Sequence, residues 1–227
     1  MNLALFDLDH TLLPIDSDHS WGHFTVKLGW RKAADYAAAS DRYYEQYKAG
    51  TLNLEEFIAF TTAPLRERDP QTNAAAHRQF MREVIEPAIK PAARALIEQH
   101  RAAGDVLIIV TATNAFVTGP IAQAFGIEHL IAVDLEWDAQ GLPTGKIKGT
   151  PSFREGKIAR VEQWLDARGL KWGDLGRVTF YSDSINDLPL LEKVSHPVAT
   201  NPDPNLLNIA QQRHWPILNI FDDQKIN

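Results

Sequence analysis

The sequence predicts an α/β protein, a doubly wound parallel sheet carrying an inserted α-helical cap. Three observations point there. Leu3-Ala4-Leu5-Phe6 and Val106-Leu107-Ile108-Ile109-Val110 are continuous apolar runs, as expected of strands buried on both faces of a parallel sheet. From about residue 88 onward such runs alternate with helix-like stretches, which argues for βαβ units. Between the first strand and that region, from about 14 to 87, the pattern is helical throughout. The expected organisation is a discontinuous core, 1–13 and 88–227, interrupted by a helical cap at 14–87.

Along the chain, residues 2–8 read as the first strand. In the insertion, helices are expected at 20–28, 31–48 (closed by Gly50), 53–60 and 72–84. Leu54, Phe57, Ile58 and Phe60 supply its apolar contacts, and Trp21, Tyr43, Tyr44 and Tyr47 are expected to pack inside it. Pro87 and Pro91 mark the return to the core. A helix at 92–103 ends at Gly104, one at 115–125 at Gly126, and one at 155–168 at Gly169. Strands are expected at 106–110, 129–135, 177–181, 195–199 and 216–220, with a short helix at 188–193. Gly141-Leu142-Pro143-Thr144-Gly145 reads as a hairpin loop.

The chain has 227 residues, 44% hydrophobic and 23% charged, enough for one sizeable core in an ordinary globular protein. A net charge of −6 without a basic cluster argues against nucleic acid as a partner. No cysteine is present, which removes disulfides, thiolate catalysis and cysteine-held metals. No apolar stretch approaches the roughly 20 residues of a membrane span. Residues 2–8 already look like a core strand, so no cleavable leader is expected, and the expected location is the cytoplasm.

Ligands of an open parallel sheet bind beyond the carboxyl ends of its strands. Polar residues following the strand-like runs are therefore the candidates. Asp7 and Asp9 follow the first. Thr111, then Ala112, Thr113 and Asn114, follow the second. Ser182, Asp183, Asn186 and Asp187 follow the run ending at Tyr181, and Lys157 sits early in the preceding helix. Each has a plain reading alone. Asp7 and Asp9 could be a solvated acidic turn, Thr111 and Asp183 helix caps, Asp187 an acid in a first helical turn, and Lys157 a solvated lysine. Together they are four carboxylates, a hydroxyl and an ammonium at places expected to meet. Neighbouring carboxylates raise each other's pKa unless a cation sits between them, so the cluster asks for a divalent metal, a shared proton or both. Carboxylate and carbonyl oxygens suit Mg²⁺. One carboxylate can attack phosphorus and a second can move protons. A helix start suits a phosphate, and a lysine balances transition-state charge.

In this order the residues resemble the motifs of the haloacid dehalogenase superfamily of aspartate-nucleophile phosphatases. Asp7-Leu8-Asp9-His10-Thr11 is similar to the first motif, Ile108-Ile109-Val110-Thr111 to the second, Lys157 to the third, and Ser182-Asp183-Ser184-Ile185-Asn186-Asp187 to the fourth. The resemblance spans residue 3 to about 200. The helical insertion after the first motif is like that of phosphoserine phosphatases and some histidinol-phosphate phosphatases. The resemblance implies Asp7 as nucleophile and Mg²⁺ ligand, and Asp9 as general acid/base with its backbone carbonyl on the metal. It implies Asp183 as a further ligand and Asp187 as support for the metal shell or Lys157. Thr111, Ala112, Lys157 and Asn186 would hold the phosphoryl group. The expected activity is hydrolysis of a small phosphorylated metabolite, and such a cap closes over the site. Tyr181-Ser182 and Thr111-Ala112-Thr113-Asn114 depart from the subgroup's glycine-rich pattern, which bears on substrate.

Asp16 lies nine residues after Asp7, where similar phosphoserine phosphatases carry a glutamate facing the substrate amine. Asp16, Asp18, His19 and His23 are therefore candidate substrate contacts, and an amine-bearing substrate such as histidinol phosphate or phosphoserine is expected. Asp16-Ser17-Asp18 reads equally as a helix N-cap. A phosphotransferase using the same aspartyl-phosphate is the alternative activity. A receiver-like signalling module fits less well, because its phosphorylated aspartate lies inside a shorter domain. An ion-pumping ATPase domain lacks its membrane spans here, and Asp9 argues against dehalogenation.

Overall fold

The structure, a computed structural model, describes residues 1–221. Its centre is a six-stranded, wholly parallel sheet of order β3-β2-β1-β6-β7-β8. The strands are β1 (Leu3–Phe6), β2 (Val106–Asn114), β3 (His129–Val133), β6 (Val178–Ser182), β7 (His196–Thr200) and β8 (Ile217–Leu218). An antiparallel hairpin, β4 (Leu135–Trp137) with β5 (Pro143–Ile147), stands apart. Every residue of β1 is buried, because the strand is covered on both faces. On one face Ala4, Phe6 and Ile109 join an apolar cluster with Leu96 and Ile97 of α6 (Pro91–Ala102) and Val117 of α7 (Ala115–Ala124). On the other, Leu3, Leu5, Ile108 and Phe180 meet Val161 of α8 (Glu155–Asp166), Leu190 of α9 (Leu188–Lys193) and Leu206 of α10 (Pro204–Gln212). This is a three-layer, doubly wound, Rossmann-like core.

The insertion holds α1 (Ser17–Lys27), α2 (Ala33–Ala49), α3 (Leu54–Arg66) and α4 (Pro70–Phe80). Side-chain caps fix three of the starts. Asp16, Asn53 and Asp69 accept from the backbone N–H of His19, Glu56 and Thr72. Gly50, at φ 71°, ends α2 in the left-handed conformation a glycine tolerates. α1 and α4 are rooted in the core: Trp21, Phe24 and Phe80 lie in the same apolar cluster as Phe6 and Ile109. α2 and α3 form an outer pair, with Tyr36 stacked on Phe60 and Tyr43 edge-on to Phe57. Ile58 of α3 packs on Val133 and Leu135, beside the hairpin. The chain returns through a π-helical stretch, Met81–Ile85, and one turn, α5 (Glu86–Ala88).

Several boundaries differ from expectation. α1 begins at Ser17, not residue 20, because Asp16 caps it. α3 runs past Phe60 to Arg66, with Pro64 inside it. The helix expected at 72–84 ends at Phe80, where the π-helical stretch begins. Pro143–Gly145 belong to β5, so the hairpin turn lies before them. β2 extends past its apolar run to Asn114, which pairs with Val133, so Thr111 is a strand residue and Asn114 is the cap of α7. α10, capped by Asp203, went unanticipated.

Candidate active site

β1 lies between β2 and β6, where the strand order reverses, and the register brings three chain ends level. Phe6 pairs with both Ile109 and Tyr181, so Asp7 leaves the sheet beside Thr111 and the Ser182–Asp183 turn. Beyond Asp9 the backbone reverses at His10, whose φ is 56° and whose carbonyl accepts from the Asn201 side chain. The β6 turn is pinned by Asp203: its N–H donates to the Asp183 carbonyl at 2.7 Å, and its carboxylate accepts from the Ile185 N–H at 2.8 Å.

The centre of the site is Lys157, 2% exposed. Its Nζ donates to Asp7 Oδ1 at 2.9 Å and Asp187 Oδ2 at 2.6 Å. Burial alone would favour the neutral amine, but the Asp187 and Asp7 carboxylates outweigh it and raise its pKa, so it stays an ammonium. Ser182 Oγ donates to the same Asp187 oxygen at 2.7 Å. Local packing aims Lys157. A Cβ on Gly156 would stand 2.1 Å from the Pro151 carbonyl oxygen, so only glycine lets the preceding loop fold onto the first turn of α8. Arg154, at φ 51° and ψ −125°, makes the turn into that helix.

Asp9 Oδ1 accepts from the Ser17 N–H at 2.7 Å and Oδ2 from the Thr113 hydroxyl at 2.8 Å. Burial, with Asp16 and Asp7 nearby, still raises its pKa well above the usual carboxylate range. Asp183 accepts from the Thr11 hydroxyl at 3.2 Å. Burial and the charges of Asp7 and Asp187 push it well up too. Thr111 Oγ1 accepts from the Thr113 N–H at 3.1 Å. Asn186 Oδ1 accepts from Arg154 Nε and Nη2, both at 3.2 Å.

A cavity of about 540 Å³ opens above these groups, within the usual size for a small ligand. Its floor includes Asp7, Asp9, Thr111, Ala112, Lys157, Asp183, Asn186 and Asp187. The sheet thus brings together the core residues to which the resemblance gives roles, whereas the candidates Asn114 and Ser182 do not line the cavity. Its wall includes Asp16, Asp18 and His19 with Tyr36, Tyr43, Tyr44, Phe57 and Phe60. Among the described lining residues, Lys157 is the only lysine or arginine. Asp18 is buried, its Oδ2 has no hydrogen-bond partner, and burial with the Asp16 charge pushes its pKa up to about 7. His23 does not line the cavity; one helical turn carries it behind His19. Trp21, expected to pack inside the insertion, lies in a cluster shared with the central sheet, Tyr44 is exposed and Tyr47 faces the floor, its hydroxyl 3.1 Å from Ser184 Oγ. Arg154, Thr113 and Ser182 were not assigned roles from the sequence. A loop arginine three residues before Lys157 carries no pattern, although its positive φ is a strain often found at functional sites.

Residues 4–192 match the haloacid dehalogenase-like hydrolase family. The chain belongs to that family. This hydrolase is 44% identical over 218 residues to a histidinol-phosphatase of Neisseria meningitidis serogroup C, covering 96% of this chain and 98% of the relative. It is 30% identical over 224 residues to the phosphoserine phosphatase SerB1 of Mycobacterium tuberculosis, covering 94% and 69%. A crystal structure of a Bordetella pertussis protein of unknown function superposes on the hydrolase with a TM-score of 0.91 at 49% identity, covering 97% and 99%. A substrate-bound phosphoserine phosphatase complex, at 18% identity and a TM-score of 0.66 with 95% and 91% covered, shares the fold.

Proposed function

We propose that this hydrolase cleaves a small phosphomonoester that bears an amine and no carboxylate, with L-histidinol phosphate the substrate that fits best. The observation that carries this reading is the charge layout of the cavity wall. Asp16 and Asp18 offer carboxylates to a cation, and aromatic rings offer an apolar face to a flat heterocycle. Lys157 is held by Asp7 and Asp187, so no described lysine or arginine of the wall is left to pair with a carboxylate such as phosphoserine carries. The similarity to a histidinol-phosphatase supports the same choice.

In this reading Asp7 attacks phosphorus, the bond from phosphorus to the ester oxygen breaks, and an aspartyl-phosphate forms. Asp9 begins protonated, as its raised pKa favours, and gives its proton to the departing oxygen. It then takes a proton from the water that releases phosphate. Thr113 and Ser17 hold both Asp9 oxygens in place for these transfers. Thr111 and Lys157 hold the phosphoryl oxygens, with the backbone at Ala112 and the Asn186 amide beside them.

The donor set fits Mg²⁺. Among the described residues no three His, Cys, Asp or Glu side chains converge in ligating geometry. Mg²⁺ commonly takes one or two carboxylates and keeps several waters. Asp7 and Asp183, whose proton affinity burial and the Asp7 charge raise, would hold it with the Asp9 backbone carbonyl. When bound it neutralises phosphate oxygens and lessens their repulsion of the attacking carboxylate. Helices α1 to α4, within 14–87, act as the cap. The cysteine-free chain suits the reducing cytoplasm, and among the described residues no helix is long and apolar enough to cross a membrane.

A panel of phosphomonoesters tests the reading. L-histidinol phosphate should exceed phosphoserine in kcat/KM by about tenfold or more, since an unpaired carboxylate must be desolvated against two acids. Preference for phosphoserine would overturn it.

A further inference from the structure

At the cavity wall and just behind it, α1 presents two histidines one turn apart. His19 and His23 stand at i and i+4, so their side chains share a face of the helix. Their Nε2 atoms approach to 2.9 Å, with the rings nearly perpendicular and their centroids 4.4 Å apart. Both residues are exposed. In the metal-free protein two neutral imidazoles share one proton across this contact, one ring donating and the other accepting.

The rings are held from outside. Ser40 Oγ lies 3.2 Å from His19 Nδ1, and the Tyr36 hydroxyl donates to the His19 carbonyl at 3.1 Å. The Tyr36 ring lies edge-on to His23, with centroids 5.1 Å apart. Gly22, between the histidines, admits that ring: a Cβ there would stand 2.0 Å from the Tyr36 hydroxyl oxygen. The Ser40 contact is of the kind that fixes tautomer and orientation in metal-bound histidines, one nitrogen bound at the back and the other directed forward.

The distance points to a ligand class. Two imidazole nitrogens bound at about 2.0–2.1 Å and at right angles to each other lie about 2.9 Å apart, and at a tetrahedral angle about 3.3 Å apart. The observed separation puts both nitrogens within reach of one ion at adjacent coordination positions. We propose that His19 and His23 chelate a divalent transition-metal ion of the nickel–copper–zinc class, at a site separate from the acidic floor, with water filling its other positions. Burial and the neighbouring His19 keep the His23 pKa low, which favours the neutral form that binds metal. Mg²⁺ prefers oxygen ligands and does not compete for it.

His19 also lines the cavity, next to Asp16, whose carboxylate accepts from its N–H. A dication there opposes a cationic amine in the same wall. This second part rests on the proposed amine-bearing substrate; the binding part does not.

Calorimetric titration with Ni²⁺ in excess Mg²⁺ tests the site itself. The native protein should take up one more equivalent of Ni²⁺ than His23→Ala, or bind it roughly tenfold or more tightly. His23→Gln, which keeps a polar side chain on the exposed helix face, should match His23→Ala. Sub-stoichiometric Cu²⁺ should selectively broaden the His19 and His23 ring proton signals in the native protein. Equal stoichiometry and affinity in all three proteins would overturn the site. For the second part, Ni²⁺ inhibition of L-histidinol phosphate hydrolysis is compared between native protein and His23→Ala, each against its own nickel-free rate. Stronger inhibition of the native protein supports the opposition of charges, and equal sensitivity overturns it while leaving the binding result standing.

Discussion

The floor and the wall of the cavity treat charge differently. On the floor, Lys157 is built into the acid cluster, and Asp7, Asp9, Asp183 and Asp187 each have a hydrogen-bond donor in place. On the wall, Asp18 is buried with one oxygen unpartnered, and the surroundings are aromatic. Floors of this kind hold a fixed chemistry, because every group is constrained by another. The wall leaves one oxygen of Asp18 unpaired, and an unpaired buried carboxylate oxygen is where a cationic ligand gains most.

The largest test of this contrast removes the floor's nucleophile. Asp7→Asn should lower Mg²⁺-dependent hydrolysis of p-nitrophenyl phosphate by roughly a thousandfold or more while the circular dichroism spectrum is unchanged. Retained activity would end the assignment of Asp7. Next, Gly156→Ala forces a methyl against the Pro151 carbonyl and should cost about 3 kcal/mol in chemical denaturation, together with displacement of Lys157. A neutral outcome would show that the 151–156 loop does not set the lysine.

On the wall, Asp16→Asn keeps an acceptor for the His19 N–H and removes the charge. It should lower kcat/KM for an amine-bearing phosphomonoester by roughly 1.5–3 kcal/mol relative to an amine-free one. Equal losses on both substrates would separate Asp16 from the amine. The remaining effect is on stability. Unfolded, Asp18 loses its proton near the ordinary 3.8; folded, it does so near 7. The folded state therefore binds more protons in that window, and stability falls as pH rises through it. Asp18→Asn should be more stable than the native protein at pH 8, by up to about 4 kcal/mol, and nearly equal to it at pH 4. A difference independent of pH would refute the buried-acid account.

The floor was legible in the sequence because its residues sit at fixed offsets from apolar strand runs, and a parallel sheet brings strand ends together whatever lies between. Asp7, Thr111 and Asp183 needed only that rule. The hydrogen bonds that finish the floor were not legible. Thr113 reaches Asp9 because β2 continues through Thr111-Ala112-Thr113 to Asn114, which pairs with Val133, so apolar character alone ends the strand too early. The wall was less readable still. Tyr43 and Tyr47 lie one helical turn apart on α2, yet Tyr43 packs on Phe57 and Tyr47 faces Ser184, a difference set by what α3 and the β6 turn present to them. The start of α10, Asn201-Pro202-Asp203-Pro204, is turn-rich and reads as a loop in sequence, whereas in the structure Asp203 caps the helix.

The rooting of α1 and α4 in the core has a consequence for transplanting specificity. Trp21, Phe24 and Phe80 complete the apolar layer over Phe6 and Ile109, so excising residues 14–87 would strip one face of the central sheet. The portable piece is smaller. α2 and α3 are held together by their own aromatic pairs, and the chain enters them past Gly29 and leaves before Asp69. A chimera between related enzymes has its natural seams there, where a new roof can be fitted without disturbing the foundations.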